Sequence, residues 1–480
     1  MKHSEKQSVS QTGHLEAASV LPEPIAAAVE DIPGVRVAQR SFADLTTLRV
    51  GGTPRAVVEC GSAESLAAIV RIFDDANLPI LIVGGGSNLV VGESAEVTDL
   101  FVVLAADAVD AGEDAAPAFD IDLDTGVCSA FAGVEWDRFV AATVELGLGG
   151  LECLSGIPGS VGATPVQNVG AYGAEVSQVL RRVRLYDRTS QEHEWVQPES
   201  LDLAYRYSNL KFTNRAVVTE VEFQLDSSGQ SLPLRFGELA RRLGVTSENS
   251  GAGAQVGGRG EIRRPAKDVR AAVLELRAGK GMVLDAVDHD TWSAGSFFTN
   301  PVISGGSGVD AEAAKDAVVA AVRAKVGDAE ADSMPLFNVG SPEAPAYKFS
   351  AAWLIERAGF HKGWHVPGNS RAGLSTKHTL ALTNRGEAES ADIVELAAAV
   401  RDGVFEAFGV ELVPEPVWVG CGCRRLSGSE LLAGNFANMP PSNACDRVNF
   451  TCDWRRHDVR NSAPSERCSC RQCSGPYEHC

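Results

Sequence analysis

The sequence predicts a mixed fold, in which an α/β region comes first and an α+β region follows. An amphipathic helical pattern at 62–76 lies between two extended apolar segments, as in a small α/β unit. Later in the chain, a short strand pattern at 380–383 lies between helical patterns at 311–325 and 388–408. This later alternation of helices with short strands favours an α+β domain.

The remaining elements follow from the same two periodicities. Strands are predicted at 56–60, 79–83, 89–91, 100–104, 128–132, 179–186 and 217–225, and further helices at 135–146, 267–277 and 348–358. Residues 41–52 are predicted to form a strand and a turn, and 295–301 contains a short hydrophobic strand beside an Asn-Pro pair. The acidic, alanine-rich stretch 107–120 marks an expected domain boundary, and the glycine-rich stretch 251–260 is expected to be a surface insertion.

Two glycine-rich loops are candidate binding elements. Residues 151–173 (LECLSGIPGSVGATPVQNVGAYG) contain five glycines, two prolines and no basic residue, a composition that excludes a helix or a plain strand. A second loop, Gly84-Gly85-Gly86-Ser87-Asn88, follows the apolar strand pattern 79–83. Bare backbone amides can close on an anion, and Gln167 and Asn168 can hydrogen-bond a ring system. The alternative is a tight structural turn, which the presence of two such loops disfavours.

The charge balance restricts the classes of partner. The chain has 43 Lys and Arg against 63 Asp and Glu, a formal net charge of −20, which repels nucleic acid at long range. We therefore expect no nucleic-acid partner, and any anionic ligand must be held by locally placed cations and amides. The start of the chain has no apolar signal core, and the sequence contains no apolar run long enough to span a bilayer. We expect a cytoplasmic protein with no membrane association.

Three polar residues in otherwise structural contexts are candidates for chemistry. They are Arg206 in AYRYS, Ser296 in GSFFTNP and Glu415 in VPEPV. Taken singly, each has an ordinary explanation, namely a surface cation, a turn or cap residue, and a solvated carboxylate. Because they occur in the same chain as both glycine loops, a functional role becomes the favoured explanation for all three.

The motifs GGGSN, IPGSVGATPVQNVGAYG, YRYS, GSFFTNP, KFSAAWLIE and PEP, in this order, resemble those of the UDP-N-acetylenolpyruvoylglucosamine reductase family. The resemblance covers residues 24–420. It implies FAD held in a two-part α/β region of the vanillyl-alcohol-oxidase type, not in a Rossmann site, with an α+β domain for the substrate. The expected divisions are a disordered arm at 1–23, FAD-binding subdomains at 24–106 and at 107–285 (completed by 410–420), a substrate-binding domain at 286–409 and a tail at 421–480.

The resemblance also implies roles for individual residues. The catalytic residues would be Arg206, Ser296 and Glu415. The residues expected against FAD are Gly84, Gly85, Gly86, Ser87, Asn88, Ile157, Pro158, Gly159, Ser160 and Gly162. Those expected to contact the substrate are Tyr205, Lys280, Asn300 and Lys348. One position departs from the family pattern, because Phe236 stands where a tyrosine is common, and phenylalanine cannot hydrogen-bond a pyrophosphate.

The implied activity is the NADPH-dependent reduction of UDP-N-acetylglucosamine enolpyruvate to UDP-N-acetylmuramate through FAD, in peptidoglycan precursor synthesis. The residue types suit this reaction. An arginine that stays charged can stabilise the enolate, a carboxylate can orient the same region, and a serine hydroxyl remains a proton donor at neutral pH. Two alternatives stay open. One is a flavin oxidoreductase of the same fold that acts on another alcohol or sugar, and the other is a nonenzymatic UDP-sugar-binding protein.

The tail differs from the body in its cysteines. Three cysteines precede position 420, whereas eight lie in the last sixty residues, which contain no lysine. The cysteine spacing in CxC and CxCxxC could bind zinc. A second interpretation is that the tail is a disordered extension without function. We favour this second interpretation, so no metal is expected. We also expect a monomer.

Overall fold

The protein is described by a computed structural model that covers residues 20–107, 118–234, 237–245, 262–305 and 310–421. Several sequence predictions lie outside these ranges. They concern most of the N-terminal arm, the glycine-rich insertion 251–260, Phe236 and the cysteine-rich tail beyond Cys421.

The helices of the described ranges form where apolar residues recur at helical spacing after a capping residue. In the helix Ala63–Asp75, the apolar residues Leu66, Ile69, Val70 and Phe73 are fully buried, and Ser62 caps the first turn by accepting from the Ser65 amide. The helices are α1 (Glu23–Glu30), α2 (Phe42–Leu45), α3 (Ala63–Asp75), α4 (Ala95–Thr98), α5 (Trp136–Glu145), α6 (Glu238–Arg242), α7 (Ala266–Gly279), α8 (Ala311–Val326), α9 (Asp328–Ala331), α10 (Ala351–Ala358) and α11 (Ser390–Phe408).

The strands are short and concentrated in the first 225 residues of the chain. They are β1 (Val35–Ala38), β2 (Ala56–Cys60), β3 (Ile80–Val83), β4 (Leu89–Val91), β5 (Phe101–Ala105), β6 (Phe119–Ile121), β7 (Val127–Phe131), β8 (Gly170–Ala171), β9 (Ala174–Glu175), β10 (Leu180–Asp187), β11 (Glu192–Val196), β12 (Ala216–Gln224), β13 (Val302–Ser304), β14 (Leu336–Asn338), β15 (Ala346–Phe349), β16 (Ala372–Leu374), β17 (Leu382–Asn384) and β18 (Val417–Val419).

Two sheets form the first half of the molecule. The first has the order β1-β2-β5-β3, and β2, β5 and β3 run parallel. All residues of β2 and β5 are buried, as expected for parallel strands that are covered on both faces. The second sheet is antiparallel, with the order β11-β10-β12-β7-β6. Arg188, just after β10, pairs with Asp74 of α3 through two hydrogen bonds, which links the two sheets.

The second half is an α+β domain. A three-stranded antiparallel sheet, β13-β15-β14, and the hairpin β16-β17 pack with α8, α10 and α11 around a separate apolar core. Phe349, Leu354 and Leu396 are fully buried in this core. Leu48, Val50 and Val90 of the first half also contribute to it, so this domain rests directly on the first sheet region.

Three local expectations differ from the structure. Residues 41–52 form the capped helix α2 and a loop rather than a strand, because Ser41 and Asp44 make a capping box. Lys348 lies in strand β15, and α10 begins only after Ser350, whose side chain caps it. No strand forms within 295–301, where Phe298 makes only an isolated bridge with Pro414. The completion of the region 107–285 by 410–420 stays a prediction; strand β18 of that segment pairs in parallel with β4.

Candidate active site

A cavity of about 380 Å³ lies between the two glycine-rich loops. Its walls include Gly84 and Gly85 from the first loop and 156–160 from the second. Val283 and Leu284, which follow α7, complete one side. The two loops that the sequence singled out therefore meet around one space, although more than 60 residues separate them in the chain.

The close approach of the two loops explains their glycines. A Cβ at Gly85 would lie 2.4 Å from the Cα of Gly159, and one at Gly84 would lie 2.3 Å from the Ser160 hydroxyl. Gly86 has a φ of 62°, and a Cβ there would lie 1.8 Å from the carbonyl oxygen of Leu45. A side chain at Gly84 or Gly85 would push the two loops apart, and one at Gly86 would collide with the end of α2.

The cavity fits a diphosphate group such as the one in FAD. The amides of Gly85, Ser87 and Gly159 donate to no protein acceptor within the described part of the chain. The hydroxyl of Ser160 is buried, and it likewise has no partner among the described residues. Unpaired buried donors are costly unless a ligand accepts from them. Of these four donors only the Ser160 hydroxyl is buried, because Gly85 is exposed and Ser87 and Gly159 are partly exposed. Together the hydroxyl and the three amides match the oxygen atoms of a phosphate.

Arg206 lies at the corner of a tight turn. The main chains of Ala204 and Tyr207 exchange two hydrogen bonds, at 3.0 and 3.1 Å, and Arg206 between them has a φ of 57°. The pentapeptide 204–208 therefore contains a turn. The guanidinium donates from Nη2 to the carbonyl oxygen of Gly170 at 2.6 Å, which anchors it to the second glycine-rich loop.

Glu415 lies against Arg206 and between two prolines. Its Oε1 is 3.4 Å from Arg206 Nε, and both side chains are largely buried. Burial raises the pKa of the Glu415 carboxyl, whereas the charges of Arg206 and Lys211 act to lower it. The amide of Glu415 donates to the carbonyl oxygen of Phe297 at 2.9 Å, so the backbone beside Ser296 is joined directly to Glu415.

Ser296 makes a hydrogen bond that the sequence did not indicate. Its Oγ lies 3.2 Å from Nε2 of His378, which follows the hairpin strand β16. Burial, together with the charges of Lys280 and Lys362, lowers the pKa of the His378 imidazole to about 4. The imidazole is therefore neutral near pH 7. His378 occurs in STKHTLAL, where no local pattern distinguishes it from an ordinary loop histidine.

Lys211 is the second residue that the sequence analysis missed. It is 7% exposed, and its ammonium donates to the main-chain carbonyl oxygens of Arg206, at 3.1 Å, and of Glu415, at 3.3 Å. The two apolar neighbours of this lysine, Leu210 and Phe212, are only a weak indication in the sequence that its side chain is buried.

The four expected substrate contacts are in different situations. Tyr205 and Lys348 lie together, with the Lys348 ammonium 5.5 Å from the centre of the tyrosine ring. Lys280 is paired with Glu238 of α6. Asn300 accepts a hydrogen bond from the Ala351 amide at the start of α10. The structure thus brings Tyr205 and Lys348 together and engages Lys280 and Asn300 within the protein.

Two further properties concern what the described residues lack. Within these ranges, no group of three or more His, Cys, Asp or Glu side chains is arranged to hold a metal ion. Among the same residues, no helix combines the length and the apolar character needed to cross a membrane.

The fold and the glycine-lined cavity are those of an FAD-dependent oxidoreductase, and residues 54–194 match the family described as FAD binding domain. Residues 286–419 match the family described as UDP-N-acetylenolpyruvoylglucosamine reductase, C-terminal domain. The chain belongs to the UDP-N-acetylenolpyruvoylglucosamine reductase family. The predicted fold class, an FAD-binding region followed by an α+β domain, is confirmed.

Relatives from several organisms bear this name. The UDP-N-acetylenolpyruvoylglucosamine reductase of Corynebacterium jeikeium (strain K411) is 67% identical over 411 residues, which cover 81% of this chain and 92% of that protein. The Nocardia farcinica (strain IFM 10152) protein of the same name is 53% identical, over 80% of this chain and 90% of that protein. A solved structure of the reductase from Thermus caldophilus has 22% identity and a TM-score of 0.49, covering 80% of this chain and 99% of that one.

Proposed function

We propose that this chain reduces UDP-N-acetylglucosamine enolpyruvate to UDP-N-acetylmuramate, with FAD as cofactor and NADPH as reductant, in peptidoglycan precursor synthesis. The observation that carries this proposal is the contact of Arg206 with Glu415, joined through the backbone of Phe297 to Ser296, in a chain of this family. An arginine, a carboxylate and a hydroxyl are the groups that the reduction of an enolpyruvyl ether requires.

The glycine loops hold the cofactor in this proposal. The residues that would contact FAD are Gly84, Gly85, Gly86, Ser87, Asn88, Ile157, Pro158, Gly159, Ser160 and Gly162. Backbone amides of these loops and the Ser160 hydroxyl would donate hydrogen bonds to its diphosphate. When bound, FAD would accept a hydride from NADPH and pass it to the substrate. Asn88 also donates from Nδ2 to Gln167 Oε1 at 2.6 Å, so the two loops are tied together beside the cavity.

Arg206 and Glu415 act on the charge that develops in the substrate. When a hydride adds to C3 of the enolpyruvyl group, negative charge moves through C2 onto the carboxylate. The cationic guanidinium of Arg206 stabilises that charge. Its bond to the Gly170 carbonyl and its contact with Glu415 fix its direction before the substrate arrives.

Ser296 donates the proton that completes the reduction at C2. A hydroxyl is protonated at neutral pH without any shift of its pKa, so the donor needs no special environment. The hydrogen bond to His378 fixes the hydroxyl, because the two side chains come from different parts of the domain and each limits the rotation of the other.

The substrate contacts and the domain boundaries belong to the same proposal. Tyr205 lies beside Arg206, and Lys348 lies beside Tyr205. In this proposal both would meet the phosphates or the nucleoside, whereas Lys280 would have to exchange Glu238 for the substrate. The proposed divisions remain 24–106, 107–285 and 286–409. A cytoplasmic location, a monomeric state and the absence of a nucleic-acid partner remain predictions from the sequence.

The test is to incubate the purified chain with NADPH and UDP-N-acetylglucosamine enolpyruvate, and to follow NADPH loss and formation of the lactyl ether by mass spectrometry. We expect one product molecule per NADPH. Arg206→Met should abolish turnover, while the matched variant Arg188→Met, which removes a largely buried arginine whose partners are Asp74 and Asn214, should not. Visible flavin absorbance without product would favour an oxidoreductase for another substrate. Binding of the substrate by a protein without flavin would favour the binding protein.

A further inference from the structure

The loop that carries Arg206 is attached to the rest of the protein at more than one point. Asn168 donates from Nδ2 to the carbonyl oxygen of Ala204 at 3.0 Å, and Ser208 donates from Oγ to that of Val166. Both partners belong to the second glycine-rich loop. These contacts fix the turn relative to that loop, but they do not reach the C-terminal segment that carries Glu415.

Lys211 makes the connection to that segment. Its ammonium has three N–H donors, of which two go to the carbonyl oxygens of Arg206 and Glu415. The two acceptors are 209 positions apart in the chain (415 minus 206). A single cationic group thus binds the main chains of both residues, and hydrogen bonds to a charged donor are stronger than neutral ones.

The burial of Lys211 has a cost that the structure must offset. Removing an ammonium from water is unfavourable, and this burial lowers the pKa of Lys211, with Glu415 opposing the shift and Arg206 adding to it. An apolar residue in this position would avoid that cost. The buried charge of Lys211 therefore indicates that its hydrogen bonds or its electrostatic field serve a purpose other than stability of the fold.

We propose that Lys211 is a positioning residue that fixes the backbones of Arg206 and Glu415 relative to each other, so that the guanidinium and the carboxylate act on the same part of the substrate. The inference rests on the proposed function. Displacement of a catalytic group by about 1 Å can reduce a rate by roughly 100-fold. Lys211 also contributes one of the two positive charges that oppose the rise in the Glu415 pKa caused by burial.

The experiment compares Lys211→Met with the wild type in separate half-reactions and across pH. We expect flavin reduction by NADPH to keep nearly its normal rate. The reaction of the reduced enzyme with the enolpyruvyl substrate should slow by roughly 30- to 100-fold, with the substrate KM changed less than about threefold. Because Lys211 lowers the pKa of Glu415, its removal should move the acidic limb of the kcat profile to higher pH.

Three further variants complete the design. Lys211→Arg keeps a cationic donor and should keep the acidic limb, whereas Lys211→Gln removes the charge and should move it; Lys211→Gln also serves if Lys211→Met does not fold. Arg188→Met controls for loss of stability and should leave both half-reactions and the pH profile unchanged. If the wild type shows no turnover, the proposed function fails. If the wild type is active, the inference is overturned by a Lys211→Met or Lys211→Gln enzyme with a normal second half-reaction and an unmoved limb, or by equal slowing of both half-reactions.

Discussion

The proposed cofactor cavity and the proposed catalytic cluster are built in opposite ways. The cavity is bordered by two continuous loops, whose glycines let the main chains approach closely, and by residues of other segments such as Val283 and Leu284. The cluster is made of side chains, which come from the three distant segments at 206–211, 296 and 415, together with His378. The loops that border the cavity consist of residues that are consecutive in the sequence. The cluster, in contrast, forms only when distant segments of the chain fold together. The two sites should therefore respond differently to substitution.

The largest effect should come from the cluster. Ser296→Ala removes the proposed proton donor, and loss of such a donor typically costs about 10²- to 10⁴-fold, or roughly 3 to 5 kcal/mol of barrier. Flavin reduction by NADPH needs no proton from Ser296 and should proceed at a normal rate. Stopped-flow absorbance should show normal bleaching with NADPH and slow recovery after substrate is added. If bleaching slows as much as recovery, Ser296 shapes the cofactor site instead, and the contrast between the two sites fails at this residue.

A substitution in the cavity should instead weaken the binding of the cofactor. Gly85→Ala would place a Cβ 2.4 Å from the Cα of Gly159, so the loops must separate. We expect FAD affinity to fall by about 100-fold, which corresponds to about 2.7 kcal/mol. Equilibrium titration of the apoprotein with FAD measures this directly. The matched control is Gly279→Ala at the end of α7, where a Cβ would meet nothing within 4 Å. Equal affinities in the two variants would show that the close approach is unimportant.

A pH effect on stability should be traceable to His378. Its pKa is about 4 in the folded protein, against an ordinary value of 6.5, so below pH 6.5 the unfolded chain binds more protons. Stability is then fully present above pH 6.5 and is lost as the pH falls toward 4. Between pH 6.5 and pH 5 this group should cost at most about 2 kcal/mol. Urea denaturation at both pH values should show a smaller decrease for His378→Gln than for the wild type. An identical decrease would mean that the imidazole titrates normally.

The smallest effect is expected from removal of the tail. A chain ending at Gly420 retains both loops, all the residues of the cluster and strand β18. Flavin content and turnover should equal those of the full chain within about twofold, an effect near the limit of measurement. Zinc analysis of the full chain is the companion measurement. Loss of FAD or of turnover, or a stoichiometric tightly bound metal, would give the tail a role.

The sequence was sufficient where local chemistry decides the structure. Helix α3 and strands β2 and β4 were predicted within one or two residues, because their apolar periodicity and capping residues act over short distances. The glycine loops were found for the same reason. In contrast, the helix at 42–45 depends on the capping box of Ser41 and Asp44 in a segment with strand-like composition, so composition alone gave the opposite assignment.

The site residues that were missed are those defined by contacts over long distances. Lys211 contacts Glu415, which is 204 positions away in the chain, and His378 contacts Ser296, which is 82 positions away. No window of sequence contains both members of either pair. The motif resemblance located Arg206, Ser296 and Glu415 as candidates, but it did not indicate the groups that hold them.

The pairing of β18 with β4 also has a consequence for the order of events during synthesis. Leu89–Val91 emerges from the ribosome early, whereas its partner Val417–Val419 is made some 330 residues later, a delay of roughly 15 to 65 s at ordinary elongation rates. Until then this strand lacks its partner, and Glu415, two residues before β18, has not been made. The nascent chain can therefore complete its first parallel sheet long before it can catalyse anything, and a chain terminated before residue 415 would have a partly folded cofactor region without a competent active centre.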